Sequence, residues 1–147
     1  MKTCLVGCGG IASVHGSVLT SDIDTEFVAA ADIKPEKAQS YAENFHTKPY
    51  PSLESMLEAE KPDVLHICTP HYLHVPMAIY SLERNINVFM EKPPAISFDQ
   101  LEELKKAAAK SEAQLGFCYQ NRYNASIRTA KDLIDSGKAG KVLGARA

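Results

Sequence analysis

Thr3-Cys4-Leu5-Val6-Gly7-Cys8-Gly9-Gly10-Ile11-Ala12 decides how the rest of this 147-residue chain is read. Cys4 to Val6 is a short apolar run of the kind that forms a buried strand, and it enters a glycine turn from which a helix can start at about Gly10. Gly7, Gly9 and Ala12 stand at the spacing G-x-G-x-x-A. Each place asks for a small residue for its own reason: a tight turn at Gly7, close approach of a pyrophosphate to the backbone at Gly9, and close helix–strand packing at Ala12. The turn carries no basic side chain. A diphosphate there would be held by the free N–H groups and partial positive charge of the helix N-terminus.

A glycine turn is equally the mark of an ordinary strand–helix connection, so the next strand carries the decision. Phe27 to Ala31 is a second apolar run, closed by Asp32, twenty positions beyond Ala12. An acid at that distance, at the end of the second strand, is placed to accept a hydrogen bond from a ribose 2′-hydroxyl. Read without that context, Asp32 is a turn or helix-capping carboxylate. Strand, glycine turn, helix, strand and acid in this order predict a βαβ dinucleotide unit.

Bulk properties agree with one soluble domain. The length suffices for a single well-buried core, and 45% hydrophobic with 23% charged residues is a globular composition. A formal charge of −2 argues against nucleic acid or an anionic membrane as the main partner. No apolar run approaches the ~18 residues of a membrane span, and a strand beginning next to Met1 predicts no signal peptide. Cys4, Cys8, Cys68 and Cys118 form neither C-x-x-C pairs nor a disulfide framework. They read as small apolar residues in a reducing cytoplasm, Cys8 in the turn included.

Further along, the spacing predicts a helix from Gly10 to about Leu19, ended by Thr20-Ser21-Asp22, with His15 on it as a packed or surface histidine rather than a ligand, and a second helix opened by Pro35 and reaching about Phe45. Thr47 to Pro51 allows only a short edge strand because of its prolines. Ser52 caps a third helix running to Glu60, and Asp63 to Cys68 reads as a central strand buried on both faces. Its exit, Thr69-Pro70-His71-Tyr72-Leu73-His74, should face the cofactor, since ligands of open α/β sheets bind at the carboxyl ends of strands. His74 begins the next helix, at the ribose or nicotinamide edge. His71 and His74 lack a third ligand at metal spacing, so no metal is expected.

Asn87 to Met90 is the fifth strand, leaving through Glu91-Lys92-Pro93-Pro94. That exit is a stiff loop that either presents the Lys92 ammonium to a substrate oxygen or holds a solvated ion pair. A helix opened by Ser97, a sixth strand from Gln114 to Tyr119, a polar exit Gln120-Asn121-Arg122-Tyr123 and a helix from Ala125 to Asp135 follow. Lys141 to Arg146 should begin another strand.

Taken together, Gly7-x-Gly9-Gly10-Ile11-Ala12, Asp32, Cys68-Thr69-Pro70 with His74, Glu91-Lys92-Pro93 and Gln120-Asn121-Arg122-Tyr123 resemble the glucose–fructose oxidoreductase, inositol dehydrogenase and MocA family over essentially the whole chain. The resemblance implies a Rossmann-type, doubly wound, mostly parallel α/β sheet and an NAD- or NADP-dependent oxidoreductase of sugars, cyclitols or related hydroxy compounds. It implies dinucleotide contacts from Gly7, Cys8, Gly9, Gly10, Ile11, Ala12, Asp32, Ile33, Thr69, Pro70 and His74. Glu91, Lys92, Gln120 and Arg122 would lie at the nicotinamide end, with Lys92 the catalytic candidate. Residues 1–123 would form the nucleotide-binding domain, and 124–147 a linking helix and first strand toward a second α/β substrate domain. That domain supplies the family's usual catalytic histidine and oligomer interface and is absent from this sequence. A 147-residue form would then be inactive alone and a full-length protein a homo-oligomer. Asp32 favours NAD over NADP, although Lys34 stands close enough to offset its repulsion of a 2′-phosphate.

Two other functions fit part of the pattern. A non-catalytic dinucleotide-binding module with a redox-sensing or regulatory role would use the same turn and Asp32 but has no need of Lys92. A methyltransferase also uses a glycine turn and a ribose-binding acid, yet no acid precedes Gly7 on the first strand and the Glu91-Lys92-Pro93 loop has no role there.

Overall fold

Alternation along the strands sorts the core onto two faces of one sheet. Cys4 and Val6, Ala29 and Ala31, Leu65 and Ile67, and Val88 and Met90 share one buried cluster, while Leu5, Ala30 and Cys68 share another. A strand reads as a near-continuous apolar run only when both of its faces are covered, which requires helices on both sides. The computed structural model, which describes residues 1–144 and 146, has that arrangement.

Its elements are β1 (Lys2–Val6), α1 (Gly10–Ser21), β2 (Glu26–Ala31), α2 (Pro35–Phe45), β3 (Lys48–Tyr50), α3 (Leu53–Glu60), β4 (Val64–Ile67), α4 (His74–Leu82), β5 (Asn87–Glu91), α5 (Phe98–Lys110), β6 (Leu115–Cys118) and α6 (Ala125–Asp135). Among the described residues the strands form one sheet in the order β3-β2-β1-β4-β5-β6, with every neighbouring pair parallel. Leu53, Met56 and Leu57 of α3, Val75, Ala78 and Leu82 of α4, and Leu104 of α5 cover one face; Ala12 of α1 and Tyr41 of α2 cover the other. Strand order reverses between β1 and β4, and the crevice outside their carboxyl ends is where ligands of such sheets bind.

Local chemistry explains most element ends. Ser52 and Ser97 cap α3 and α5, their hydroxyls accepting from the N–H groups of Ser55 and Gln100. Pro35 opens α2 in its first turn, where the missing N–H costs nothing. Helix α1 runs two residues past the expected Leu19, because Thr20 and Ser21 donate their hydroxyls back to Gly16 O and Val18 O instead of breaking the helix. Two helices also approach more closely than the sequence indicated. A Cβ on Gly16 would come within 2.5 Å of the Tyr41 hydroxyl and 2.8 Å of the Phe45 ring, so glycine there lets α1 and α2 meet.

The expected last strand, Lys141 to Arg146, lies partly outside the described residues. Lys141 to Gly144 pairs with no strand among the described residues, and Ala145 of that stretch lies outside them. A strand needs a neighbour for its N–H and C=O groups, and β6 offers its free edge to none.

Candidate functional site

At the point where strand order reverses, the β1 and β4 exits nearly touch. Gly7 has φ +92°, and a Cβ on it would lie 2.7–2.8 Å from Cys68 C and O and Thr69 N. Only glycine fits. Gly7 N–H donates to Ala31 O (2.8 Å) and Cys68 N–H to Val6 O (2.8 Å), so the turn is pinned on both sides. Gly9 and Gly10 differ, since added Cβ atoms there would meet nothing within 4 Å. Gly9 precedes α1 without a side-chain cap, and no acid lies in the helix's first turn, so the leading N–H groups open onto free space. Ala12 is fully buried, its carbonyl accepting from the Tyr41 hydroxyl at 2.7 Å.

Asp32 is aimed by backbone. Cys8 N–H donates to its Oδ2 and Lys34 N–H to its Oδ1, each at 2.9 Å. Two of the carboxylate's lone-pair positions are thereby used, and the others are left for a diol. The Cys8 thiol is pushed up to about 12 by burial first and the Asp32 charge second, which keeps it protonated and unreactive at neutral pH. A cleft of about 330 Å³ is lined by Gly7, Gly9, Gly10 and Ile11 from the turn, Asp32 and Ile33 after β2, and Thr69 and Pro70 after β4. Lys37, one turn into α2, also lines it; its basic character beside Asp32 was not singled out from the sequence.

Lys92, Gln120 and Arg122 line a second cavity of about 550 Å³, beyond the β5 and β6 exits. A third, about 240 Å³, lies between the first two and holds His15, His66, Glu91 and Cys118. Ile11 borders the first and third, and Gln120 the third and second, so the cavities form a run along the strand exits. A further cavity of about 810 Å³ between β6 and α6 adjoins the Lys92 cavity, sharing Tyr119 and Arg122 with it.

Two of the expected contact residues, His74 and Glu91, are buried. His74 is fully buried at the start of α4, its Nδ1 2.8 Å from Pro93 O and its Nε2 2.9 Å from Thr69 O. Its ring ties the β4 and β5 exits together and borders none of the three cavities. Glu91, 6% exposed, accepts from His15 Nε2 at 3.0 Å. Burial raises its proton affinity, but the hydrogen bonds from His15 and Cys118 more than offset that and hold it below the ordinary carboxylate value. The ligand-type atoms of His15, Glu91 and Cys118 lie within 4.8 Å of one another, with His15 Nε2 already engaged by the Glu91 carboxylate. His15 sits three positions after Ala12 on the buried side of α1, a periodicity that marks it as inward-facing but does not name its partner.

The residues suit a dinucleotide. The Thr69 hydroxyl oxygen is buried without a hydrogen-bond partner among the described residues, the α1 N-terminus is uncapped, and the space before Gly9 and Gly10 is open. A diphosphate answers all three.

The model of the oxidoreductase family with an NAD-binding Rossmann fold (glucose–fructose oxidoreductase, inositol dehydrogenase and MocA) matches residues 1–119. The D-glucoside 3-dehydrogenase of Escherichia coli K12 is 28% identical over 97% of this chain and 41% of its own length. The inositol 2-dehydrogenase/D-chiro-inositol 3-dehydrogenase of Lacticaseibacillus casei is 28% identical over 100% of this chain and 44% of its own. The WlbA dehydrogenase of Bordetella pertussis, crystallised with NADH and UDP-GlcNAcA, superposes with a TM-score of 0.92 at 31% identity, over 96% of this chain and 44% of that one. The chain thus spans about two-fifths of the length of these relatives. The family match, the sheet order and the glycine turn with its acid agree, and this chain belongs to the glucose–fructose oxidoreductase, inositol dehydrogenase and MocA family of NAD-binding oxidoreductases.

Proposed function

We propose that this chain is the cofactor-binding half of an NAD(H)-dependent dehydrogenase acting by hydride transfer on a sugar, cyclitol or related hydroxy compound. The observation that carries the reading is the series of neighbouring cavities from Asp32 to Lys92, beginning at the point where strand order reverses and linked by Ile11 and Gln120. Its ends differ in chemistry: an anchored carboxylate that can accept from a ribose diol at one, and Lys92 and Arg122 beside an open cavity at the other. The Gly7 turn and the α1 N-terminus would hold the diphosphate, Thr69 would donate to it, and Asp32 would accept from the adenosine ribose. A bound nicotinamide supplies the hydride donor or acceptor. Lys92, exposed where it borders the 550 Å³ cavity, would hold the reacting oxygen of the substrate and stabilise charge on it.

Residues 1–123 form the dinucleotide unit in this reading, and 124–147 lead toward a substrate domain that brings the catalytic histidine. Helix α6 supports that division: every residue of it is exposed, Ile127, Leu133 and Ile134 among them. The dehydrogenase relatives favour an enzyme over a regulatory module, and with Lys34 and Lys37 beside Asp32 the preference for NAD over NADP rests on the aimed carboxylate. No helix among the described residues is long and apolar enough to cross a membrane, and the four free cysteines fit a reducing cytoplasm. The full-length protein would be a homo-oligomer.

Calorimetric titration of the chain with NADH and NADPH, with Gly9→Val as control, tests the cofactor reading. NADH binding tighter than NADPH and lost in the variant is the expected result. Binding that survives Gly9→Val would overturn the role of the turn.

A further inference from the structure

The 240 Å³ cavity is backed by a chain of side chains from four elements, His15 and Glu91 buried and His66 and Cys118 half-buried. His66 of β4 and His15 of α1 meet through their Nδ1 atoms at 3.0 Å, and His15 Nε2 meets Glu91 Oε1 of β5 at 3.0 Å. Cys118 of β6 completes the set of titratable groups facing His15 and Glu91. The two rings stand edge to face, with centroids 5.3 Å apart, and the Phe89 ring packs against both.

Hydrogen-bond bookkeeping settles where the protons sit. Burial, and secondarily the neighbouring His15, push His66 down to about 4, so at neutral pH His66 has a single N–H. The Nδ1–Nδ1 contact needs one donor and one acceptor. If His66 donates, His15 keeps its proton on Nε2 and gives it to Glu91. If His15 donates from Nδ1, a proton on Nε2 as well makes it an imidazolium paired with the Glu91 carboxylate. Both arrangements place the His15 Nε2–H on the Glu91 carboxylate.

We propose that His15 is a positioning residue for the Lys92 end of the site: it fixes the Glu91 carboxylate where β5 leaves the sheet, while His66 holds the His15 ring in place. The consequence reaches Lys92 through the chain itself, since Lys92 is the next residue after Glu91, and through Gln120, which borders both the His15 cavity and the Lys92 cavity. It also couples two halves of the site. Helix α1 begins at the glycine turn, so its anchor on β5 sets the turn and the Lys92 exit at one separation. This inference rests on the reading of the Lys92 end as the nicotinamide end.

The test compares His15→Gln, whose amide can still donate to Glu91, with His15→Leu, which fills similar space and cannot, together with Glu91→Gln and the His15→Leu/Glu91→Gln double variant. NADH dissociation constants and the carboxyl carbon-13 titration of Glu91 are measured on folded protein. His15→Leu is expected to weaken NADH about tenfold, the loss of one charge-assisted hydrogen bond, and His15→Gln less than threefold. The double variant should be no weaker than His15→Leu, and the Glu91 midpoint should rise in His15→Leu alone, where the hydrogen bond that lowers it is gone. Equal binding by His15→Leu and His15→Gln, additive losses in the double variant, or an unmoved Glu91 midpoint would overturn the proposal. Failure of the unsubstituted chain to bind NADH would instead count against the functional reading, and the Glu91 titration then decides the positioning role by itself.

Discussion

Gly7→Ala and Gly9→Ala change the same turn by the same single carbon, and their consequences should separate. At Gly7 the new Cβ must tolerate φ +92° and lie within 2.8 Å of three backbone atoms of the β4 exit. The left-handed conformation costs a side chain roughly 1–2 kcal/mol. Overpacking against atoms that cannot move adds about 1–3 kcal/mol. Movement is barred because Cys68 N–H is bonded to Val6 O and Gly7 N–H to Ala31 O, both at 2.8 Å. The total, about 2–5 kcal/mol, corresponds to a fall in Tm of roughly 5–20 °C for a domain of this size. Gly9 has φ −88° and open space around it, so Ala there should change stability by less than about 1 kcal/mol. Its methyl group would occupy the space in front of the α1 N-terminus and weaken NADH binding. Urea and thermal unfolding followed by circular dichroism, with NADH titrations on the folded variants, measure both. If Gly7→Ala melts within about 2 °C of the parent, or Gly9→Ala falls as far as Gly7→Ala, the division of labour in the turn is refuted.

Replacing Asp32 with Ser should weaken NADH about tenfold or more and move the NADPH/NADH affinity ratio toward NADPH; an unchanged ratio would remove the acid from the ribose. In the full-length protein Lys92→Ala should reduce turnover by about 10²–10⁴ with steady-state kinetics as the readout, and intact turnover would favour a non-catalytic module. Glu60, 6% exposed, accepts from Lys48 Nζ at 2.9 Å and from the Tyr50 hydroxyl at 2.6 Å, with Lys2 Nζ at 3.0 Å. The hydrogen bond from Lys48 first and Tyr50 second hold its carboxyl at about 2, below the ordinary 4.5. A group depressed in the folded state stabilises above its unfolded value and loses that contribution as pH falls. Acid titrations of stability should therefore show a loss between about pH 4.5 and pH 2 that is missing in Glu60→Gln. His74→Ala should cost about 2–4 kcal/mol in urea unfolding, since it empties a fully buried site and leaves two loop carbonyls without their partner.

Periodicity and turn chemistry were enough to read every strand of the sheet and the α1 to α6 series, because each element carries its own local signal. Pro35, Ser52 and Ser97 mark helix starts, Lys48–Tyr50 is a proline-limited edge strand, and the apolar runs at β1, β2, β4 and β5 have the continuous character of strands covered on both faces. Gly7, Gly9 and Asp32 were legible for the same reason, their spacing being set within one βαβ unit. The stretch Lys141 to Arg146, expected as a strand, has no strand partner over its described part, Lys141–Gly144, and a strand forms only beside another strand.

What the tertiary structure alone decided are relations between elements far apart in the chain. That Gly7 has no room for a Cβ depends on Cys68, and that Gly16 has none depends on Tyr41 and Phe45. His74 ends between Thr69 O and Pro93 O, and His15 between His66 and Glu91. A sequence determines which faces of its helices and strands are apolar and where they stop. Which buried polar side chain meets which is fixed only when the sheet order brings β4, β5 and α1 together, since a buried hydrogen-bonding group must find its partner across that packing, whatever the distance along the chain.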